Sequence, residues 1–118
     1  MRAIRGAISA DANTPEAIRQ AVSELVLAVQ ELNGIGPADI ISAIFTLTPD
    51  LDAEFPASAA RRLGWTQVPM ICAQEIRVPG ALPRICRLLV HVRGRGGSAR
   101  HVYLKEARAL RPDLEQAG

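Results

Sequence analysis

Aromatic residues are scarce in this chain, at 3% of the sequence, so its core has to be built from Ile, Leu, Val and Ala. Lysine is almost absent: Lys105 is the only one, and the remaining positive charge is arginine. The net charge of +2 is too small by itself to mark a nucleic-acid binder. There are two cysteines, Cys72 and Cys86, and they form neither a CxxC pair nor any other metal-ligand spacing. No apolar run reaches the roughly 18 residues that a membrane helix needs. Ser-His-Asp, HExxH, Walker and GxGxxG patterns are all missing, which removes the commonest signatures of nucleophilic, zinc-dependent and nucleotide-binding chemistry. His91 and His101 have no partners at ligand spacing and read as ordinary polar or half-buried residues, so no metal is expected.

What is present describes an ordinary globular chain. Its 118 residues suit a single domain, 1–118, with 48% hydrophobic and 22% charged residues. Met1 to Ser9 reads as a short strand in which Ile4 and Ile8 punctuate Arg2 and Arg5. Thr14-Pro15-Glu16 is a strong helix start: Thr14 can cap, Pro15 has the required φ, and Glu16 faces the positive helix end. Ile18, Val22, Leu25, Val29 and Leu32 then form one apolar stripe at helical spacing, which Asn33-Gly34 stops.

Ile40 to Thr48 is rich in β-branched residues and predicts a strand over Ala43–Thr48, ended by Pro49-Asp50. A short helix is expected from Pro56 to Leu63, closed by Gly64, and a brief strand from Val68 to Ala73. Pro79-Gly80 and Pro83 mark turns before a strand over Ile85–Val92. Arg93 to Ser98 is a glycine-rich connection, and His101 to Ala107 reads as a strand end running into a short helix. Pro112 opens a tail, 112–118, that is expected to be loosely held. Strands and helices are mixed rather than alternating, which indicates an α+β fold: a mixed sheet with one long helix and short helices. A sheet with a long helix over a single face leaves its other face needing cover. That need points to an oligomer.

Arginine keeps its charge when desolvated and grips carboxylates with two parallel hydrogen bonds, so an arginine-rich chain suits anionic ligands. A compositional drift from Lys to Arg explains the same bias without any ligand. Arg5, Arg61, Arg87 and Arg111 stand at the ends of apolar elements, and together they form a candidate polyanion site if the fold makes them converge. Spacing alone does not show that it does. Arg93-Gly94-Arg95-Gly96-Gly97 has the look of an RNA-contacting segment, but such units usually repeat, and a flexible loop is the plainer reading.

Ile4-Arg5-Gly6-Ala7, Thr48-Pro49-Asp50-Leu51, Phe55-Pro56-Ala57, Val68-Pro69, Cys72-Ala73-Gln74-Glu75, Arg84-Ile85-Cys86-Arg87, Arg100-His101-Val102-Tyr103-Leu104 and Leu110-Arg111-Pro112-Asp113-Leu114 follow one another along nearly the whole chain. In this order they resemble the chorismate mutases of the small, monofunctional, trimeric class. The resemblance implies a homotrimer of α+β subunits assembled as a pseudo-α/β-barrel, with active sites at subunit interfaces. It also implies conversion of chorismate to prephenate in phenylalanine and tyrosine biosynthesis, with no cofactor and with neither nucleic acid nor membrane as partner. A cytoplasmic location is expected, with both thiols reduced.

Carried over residue by residue, the resemblance makes Arg87 the cation at the substrate's ether oxygen. Arg5 would bind a carboxylate. Glu75 would accept a hydrogen bond from the ring hydroxyl, with Cys72 nearby, and Tyr103 would donate to the side-chain carboxylate. Arg61 and Arg111 would close over the mouth of the site, and Phe55, Ala57 and Leu110 would supply apolar walls. Read without the resemblance, Glu75 is a surface partner for Arg77, Tyr103 a half-buried core residue and Cys72 a small packing residue. The chain departs from the family pattern at Ser58, where some relatives carry a basic residue, and in the basic, glycine-rich segment Arg93 to Ala99. Two rival functions share some of these features: a trimeric imine deaminase that holds a carboxylate with arginine, and a small RNA-binding or regulatory module. The absence of an acidic pair placed to activate water speaks against the deaminase. RNA binding through phosphates would weaken steeply with salt and would survive loss of Arg87 alone.

Overall fold

A computed structural model describes residues 1–94 and 98–110. Among these residues five strands form one mixed sheet, with two α-helices beside it. The strands are β1 (Arg2–Ser9), β2 (Ile40–Leu47), β3 (Met70–Gln74), β4 (Ile85–Val92) and β5 (Val102–Leu104), in the spatial order β3-β2-β4-β1-β5. Helix α1 (Pro15–Asn33) joins β1 to β2, and α2 (Pro56–Arg62) joins β2 to β3. β4 runs antiparallel to both of its neighbours, whereas the outer pairs β2–β3 and β1–β5 are parallel. No helix among the described residues is long and apolar enough to cross a membrane.

Local chemistry sets the limits of α1. The Thr14 hydroxyl accepts the Ala17 N–H at 3.1 Å, and Pro15 occupies the first turn, where its missing donor costs nothing. Gly34 ends the helix with φ +62°, a left-handed conformation that glycine adopts without strain. Ile18, Val22, Leu25 and Val29 are fully buried, as their spacing predicts, and Ala21 and Val26 widen the stripe. Leu32 departs from the expectation. It is 37% exposed, one residue from the end of the helix.

The core lies between the helices and one face of the sheet. Ile4 and Ile8 of β1, Phe45 of β2 and Cys86, Leu88, Val90 and Val92 of β4 meet α1 and the Ala59–Ala60 side of α2. Gly6 is required here. A Cβ at this position would lie 2.9 Å from Leu25 Cδ1 and 3.3 Å from Val29 Cγ2, so the absent side chain lets α1 settle onto β1 beside Arg5. The aliphatic core also has an aromatic centre that composition did not indicate. Trp65 is fully buried 6.3 Å from the Phe45 ring, and its Nε1 donates to Gln30 Oε1 at 2.7 Å.

Two strand limits differ from the sequence reading by more than one residue. β2 begins at Ile40 rather than Ala43, because an irregularity between Ile40 and Ser42 lets Ile40 still pair with Val92. β3 begins at Met70 rather than Val68: Pro69 has no N–H for the ladder, although its carbonyl still accepts the Ala43 N–H at 3.0 Å. The expected tail, 112–118, and the Arg95–Gly97 part of the basic loop lie outside the described residues.

Candidate active site

Strand register assembles the site on the face of the sheet away from α1. Ala73, Thr46, Arg87, Ala7 and Tyr103 are successive cross-strand partners and form one row across β3, β2, β4, β1 and β5. The adjacent row runs Ile71, Ile44, Leu89 and Arg5. Side chains at positions i and i+2 of a strand share a face, so three residues far apart in sequence, Arg5, Arg87 and Tyr103, come to one surface. They line a groove of about 320 Å³ with Thr46, Ile44 and Leu89. Tyr103 is 7% exposed and packs with Ala7, Ile85 and Ala107, which leaves its ring rigid.

Arg87 is held by an ion pair. Its Nε lies 2.9 Å from Glu75 Oε2, and the same oxygen accepts the Thr46 hydroxyl at 2.6 Å. Glu75 stands just beyond β3, fixed by its N–H to the Leu47 carbonyl at 2.8 Å. The Glu75 partner suggested by proximity in sequence, Arg77, is therefore replaced by one from β4. Arg87 also borders a second cleft of about 250 Å³, lined by Glu75, Arg77, Asp50 and Leu110 among others, so the ion pair lies between two openings. Leu110 is half-buried against the Tyr103 cluster.

The Thr48-Pro49-Asp50 segment sets the position of β4. Thr48 Oγ1 accepts the Ile85 N–H at 3.0 Å and donates to Asp50 Oδ1 at 2.6 Å, and Asp50 in turn accepts the Arg84 N–H at 2.9 Å. Arg84 takes the left-handed φ of +53°, which an L side chain rarely adopts, and the Asp50 carboxylate compensates for that strain. The start of β4 is thereby locked to the end of β2, just ahead of Arg87.

The remaining expected residues lie elsewhere. Phe55, 68% exposed at the N-cap of α2, and half-buried Cys72 line a separate groove of about 420 Å³ with Leu47, Glu54 and Gln74. Ala57 is buried within α2, and Arg61 is exposed on it, reaching Ser58 Oγ at 3.4 Å. Within one chain, then, Arg5, Arg87 and Tyr103 converge with Glu75, whereas Phe55, Ala57, Arg61 and Cys72 do not join them. Arg111 lies outside the described residues. Thr46 was missed in the sequence, although Ser42, Thr46 and Thr48 recur at even spacing along an otherwise apolar strand and hinted at one polar-tolerant face.

Cys86 is not a nucleophile. It is buried on the helix side of β4, and desolvation, followed by the nearby Cys72 and Glu75, pushes its thiol well above the ordinary range.

The family model for type I chorismate mutase matches residues 1–114. A chorismate mutase of Thermus thermophilus is 50% identical over 120 residues, covering 99% of this chain and 98% of the relative. The one from Bacillus subtilis is 40% identical over 117 residues, covering 97% and 92%. A solved chorismate mutase from Clostridium thermocellum superposes with a TM-score of 0.90 at 43% identity, covering 92% of this chain and 99% of that one. Likeness of this extent leads to one conclusion: the chain belongs to the type I chorismate mutase family.

Proposed function

We propose that the family's reaction, the isomerisation of chorismate to prephenate on the route to phenylalanine and tyrosine, takes place in this chain at the Arg5–Glu75–Arg87–Tyr103 cluster. The reaction is a Claisen rearrangement. One carbon–oxygen bond breaks as one carbon–carbon bond forms, in a single concerted step that needs neither proton transfer nor a covalent intermediate. The protein's tasks are to hold a flexible dianion in its compact reactive conformer and to stabilise the charge that separates.

Negative charge develops on the ether oxygen, and Arg87 is the cation assigned to it. With Nε committed to Glu75, its terminal nitrogens make no hydrogen bond among the described residues and remain available. A cation fixed beside that oxygen gains most in the transition state, which is where binding accelerates the chemistry. Arg5 and Tyr103 take the two carboxylates, and Glu75 accepts the ring hydroxyl and faces the developing positive charge.

We assign the remaining walls to a neighbouring copy in a homotrimer. Phe55, Ala57 and Cys72 of one protomer would meet Arg5, Arg87 and Tyr103 of the next, with Leu110 as a further apolar wall and Arg61 and Arg111 closing the mouth, and the three subunits would form a pseudo-α/β-barrel. Three features support this assembly: the apolar row Ile71–Ile44–Leu89 on the face without α-helices, the edge position of β3, and the separation of Phe55 and Cys72 in one groove from Arg5, Arg87 and Tyr103 in another. The cytoplasm is the compartment assigned to it.

The observation that carries the proposal is the Arg87–Glu75 pair beside Arg5 and Tyr103 on that open face. The test is a direct assay of the purified protein, following loss of chorismate and identifying prephenate. Arg87→Ala should lower kcat by at least about a hundredfold while the protein stays folded, since loss of a single preorganised donor commonly costs about 3–4 kcal/mol of barrier. Turnover near the wild-type rate in that variant would refute the role given to Arg87.

A further inference from the structure

We infer that Thr46 is a positioning residue: its hydroxyl fixes the Glu75 carboxylate and, through it, the orientation of the Arg87 guanidinium. The inference rests on the roles proposed for Glu75 and Arg87 and extends them to a residue with no place in that scheme.

Thr46 is the direct cross-strand partner of Arg87 on one side and of Ala73 on the other. Its Oγ1 donates to Glu75 Oε2 at 2.6 Å, and Arg87 Nε reaches the same oxygen at 2.9 Å. A hydroxyl donating to a carboxylate at this distance makes a charge-assisted bond, stronger than a neutral one. The Thr46 hydroxyl and the Arg87 guanidinium converge on Oε2, and Oε1 makes no hydrogen bond among the described residues, so that oxygen is left for a ligand.

The three groups differ greatly in stiffness. Arg87 is a long side chain, 46% exposed, and the last torsion of a glutamate is broad. Threonine, branched at Cβ, has few rotamers, and this one stands on the strand between buried Phe45 and Leu47. Thr46 is thus the rigid member of the chain Thr46–Glu75–Arg87. Without its hydroxyl the carboxylate and guanidinium would still pair, but they would drift together relative to the sheet. Shape alone does not explain a threonine here, because valine would fill the same half-buried strand position equally well.

The consequence falls on the chemical step. Arg5 and Tyr103 hold the ground-state carboxylates without help from Thr46, whereas the transition-state contact depends on where Arg87 points. Thr46→Val should therefore lower kcat about tenfold with KM changed by no more than about twofold, the scale expected when a catalytic group is displaced by a fraction of an ångström. Thr46→Ser, which keeps the hydroxyl, should stay within about threefold of wild-type kcat.

The experiment is a double-mutant cycle on chorismate turnover with wild type, Thr46→Val, Glu75→Gln and the double variant, with thermal unfolding measured on each. Thr46→Ala replaces Thr46→Val if the valine protein does not fold. If Thr46 acts through Glu75, the loss caused by Thr46→Val disappears in the Glu75→Gln background. Additive losses would overturn the inference, as would equal losses in Thr46→Ser and Thr46→Val. Wild-type turnover in Thr46→Val beside an impaired Glu75→Gln would overturn it alone and leave the site standing. Wild-type turnover in Glu75→Gln would overturn the assignment of Glu75 and this inference together.

Discussion

On the side of the sheet that faces α1, the strands present Ile4, Ile8, Phe45, Leu88 and Val90, each at or near zero exposure. On the other side the same strands present Arg5, Thr46, Arg87 and Leu89, which are half-buried or exposed, with Tyr103 alone among the site residues closely packed. A period of two residues separates these surfaces, so neighbours such as Leu88 and Arg87 share a backbone but serve different ends. The covered face is filled by side chains whose value is the water they exclude. The open face holds the Arg87–Glu75 ion pair and the exposed Arg5, and leaves an apolar row unfinished. Stability and the proposed chemistry are thus divided across a single layer of backbone, and the hydrogen bonds of Thr48, Asp50 and Glu75 at one end of the sheet tie the two together.

The sharpest way to break this contrast is to charge the open face away from the ion pair. Ile71 is 64% exposed, and a polar residue at so exposed a position normally changes a monomer's stability by no more than about 0.5 kcal/mol. If this face is covered by another copy, Ile71→Asp should convert the trimer to a monomer in sedimentation velocity and lower turnover on the order of a hundredfold. A trimer with full activity would mean that the row Ile71–Ile44–Leu89 faces water.

A cut into the covered face should produce the opposite pattern. Leu25→Ala removes a fully buried side chain that packs over Gly6 and should cost about 3 kcal/mol in urea unfolding at fixed protomer concentration. kcat should stay within about twofold of wild type wherever the variant remains folded, because no contact with the cluster is lost. A large drop in kcat without loss of stability would show that the two faces are coupled more closely than their geometry indicates.

The smallest effect concerns Cys86, a titratable group on the covered face. Burial raises its folded pKa above the ordinary 9.0, so its contribution is complete below that value and is lost progressively as pH rises past it, when only the unfolded thiol ionises. Near pH 10 the loss should be about 1 kcal/mol per protomer, visible as a lower Tm than at neutral pH. The decline should be shallower in Cys86→Ala. Equal slopes in the two proteins would indicate that Cys86 does not stay protonated in the folded chain.

Much of this organisation can be read from local chemistry. Thr14-Pro15-Glu16 and Gly34 set the ends of α1 because caps and φ preferences act over a few residues. The Ile18–Val29 stripe set its buried face because helical period is a property of neighbours in sequence. β4 was legible as a run of β-branched and aliphatic residues over Ile85–Val92. The family resemblance, carried by short segments in order along the chain, identified the reaction before any fold was in view. Strand order, the depth of Trp65 and the loss of Leu32 from the core depend on contacts between distant segments, and no local pattern encodes them. The same holds for the meeting of Arg5, Arg87 and Tyr103: each is an ordinary strand residue until the registers of β1, β4 and β5 align them. The sequence by itself determined the elements and the kind of chemistry. Only the tertiary structure decided which hydroxyl holds Glu75, which carboxylate holds Arg87, and that Phe55 and Cys72 open onto another groove, because a hydrogen bond is specified by ångströms across strands and not by spacing along them.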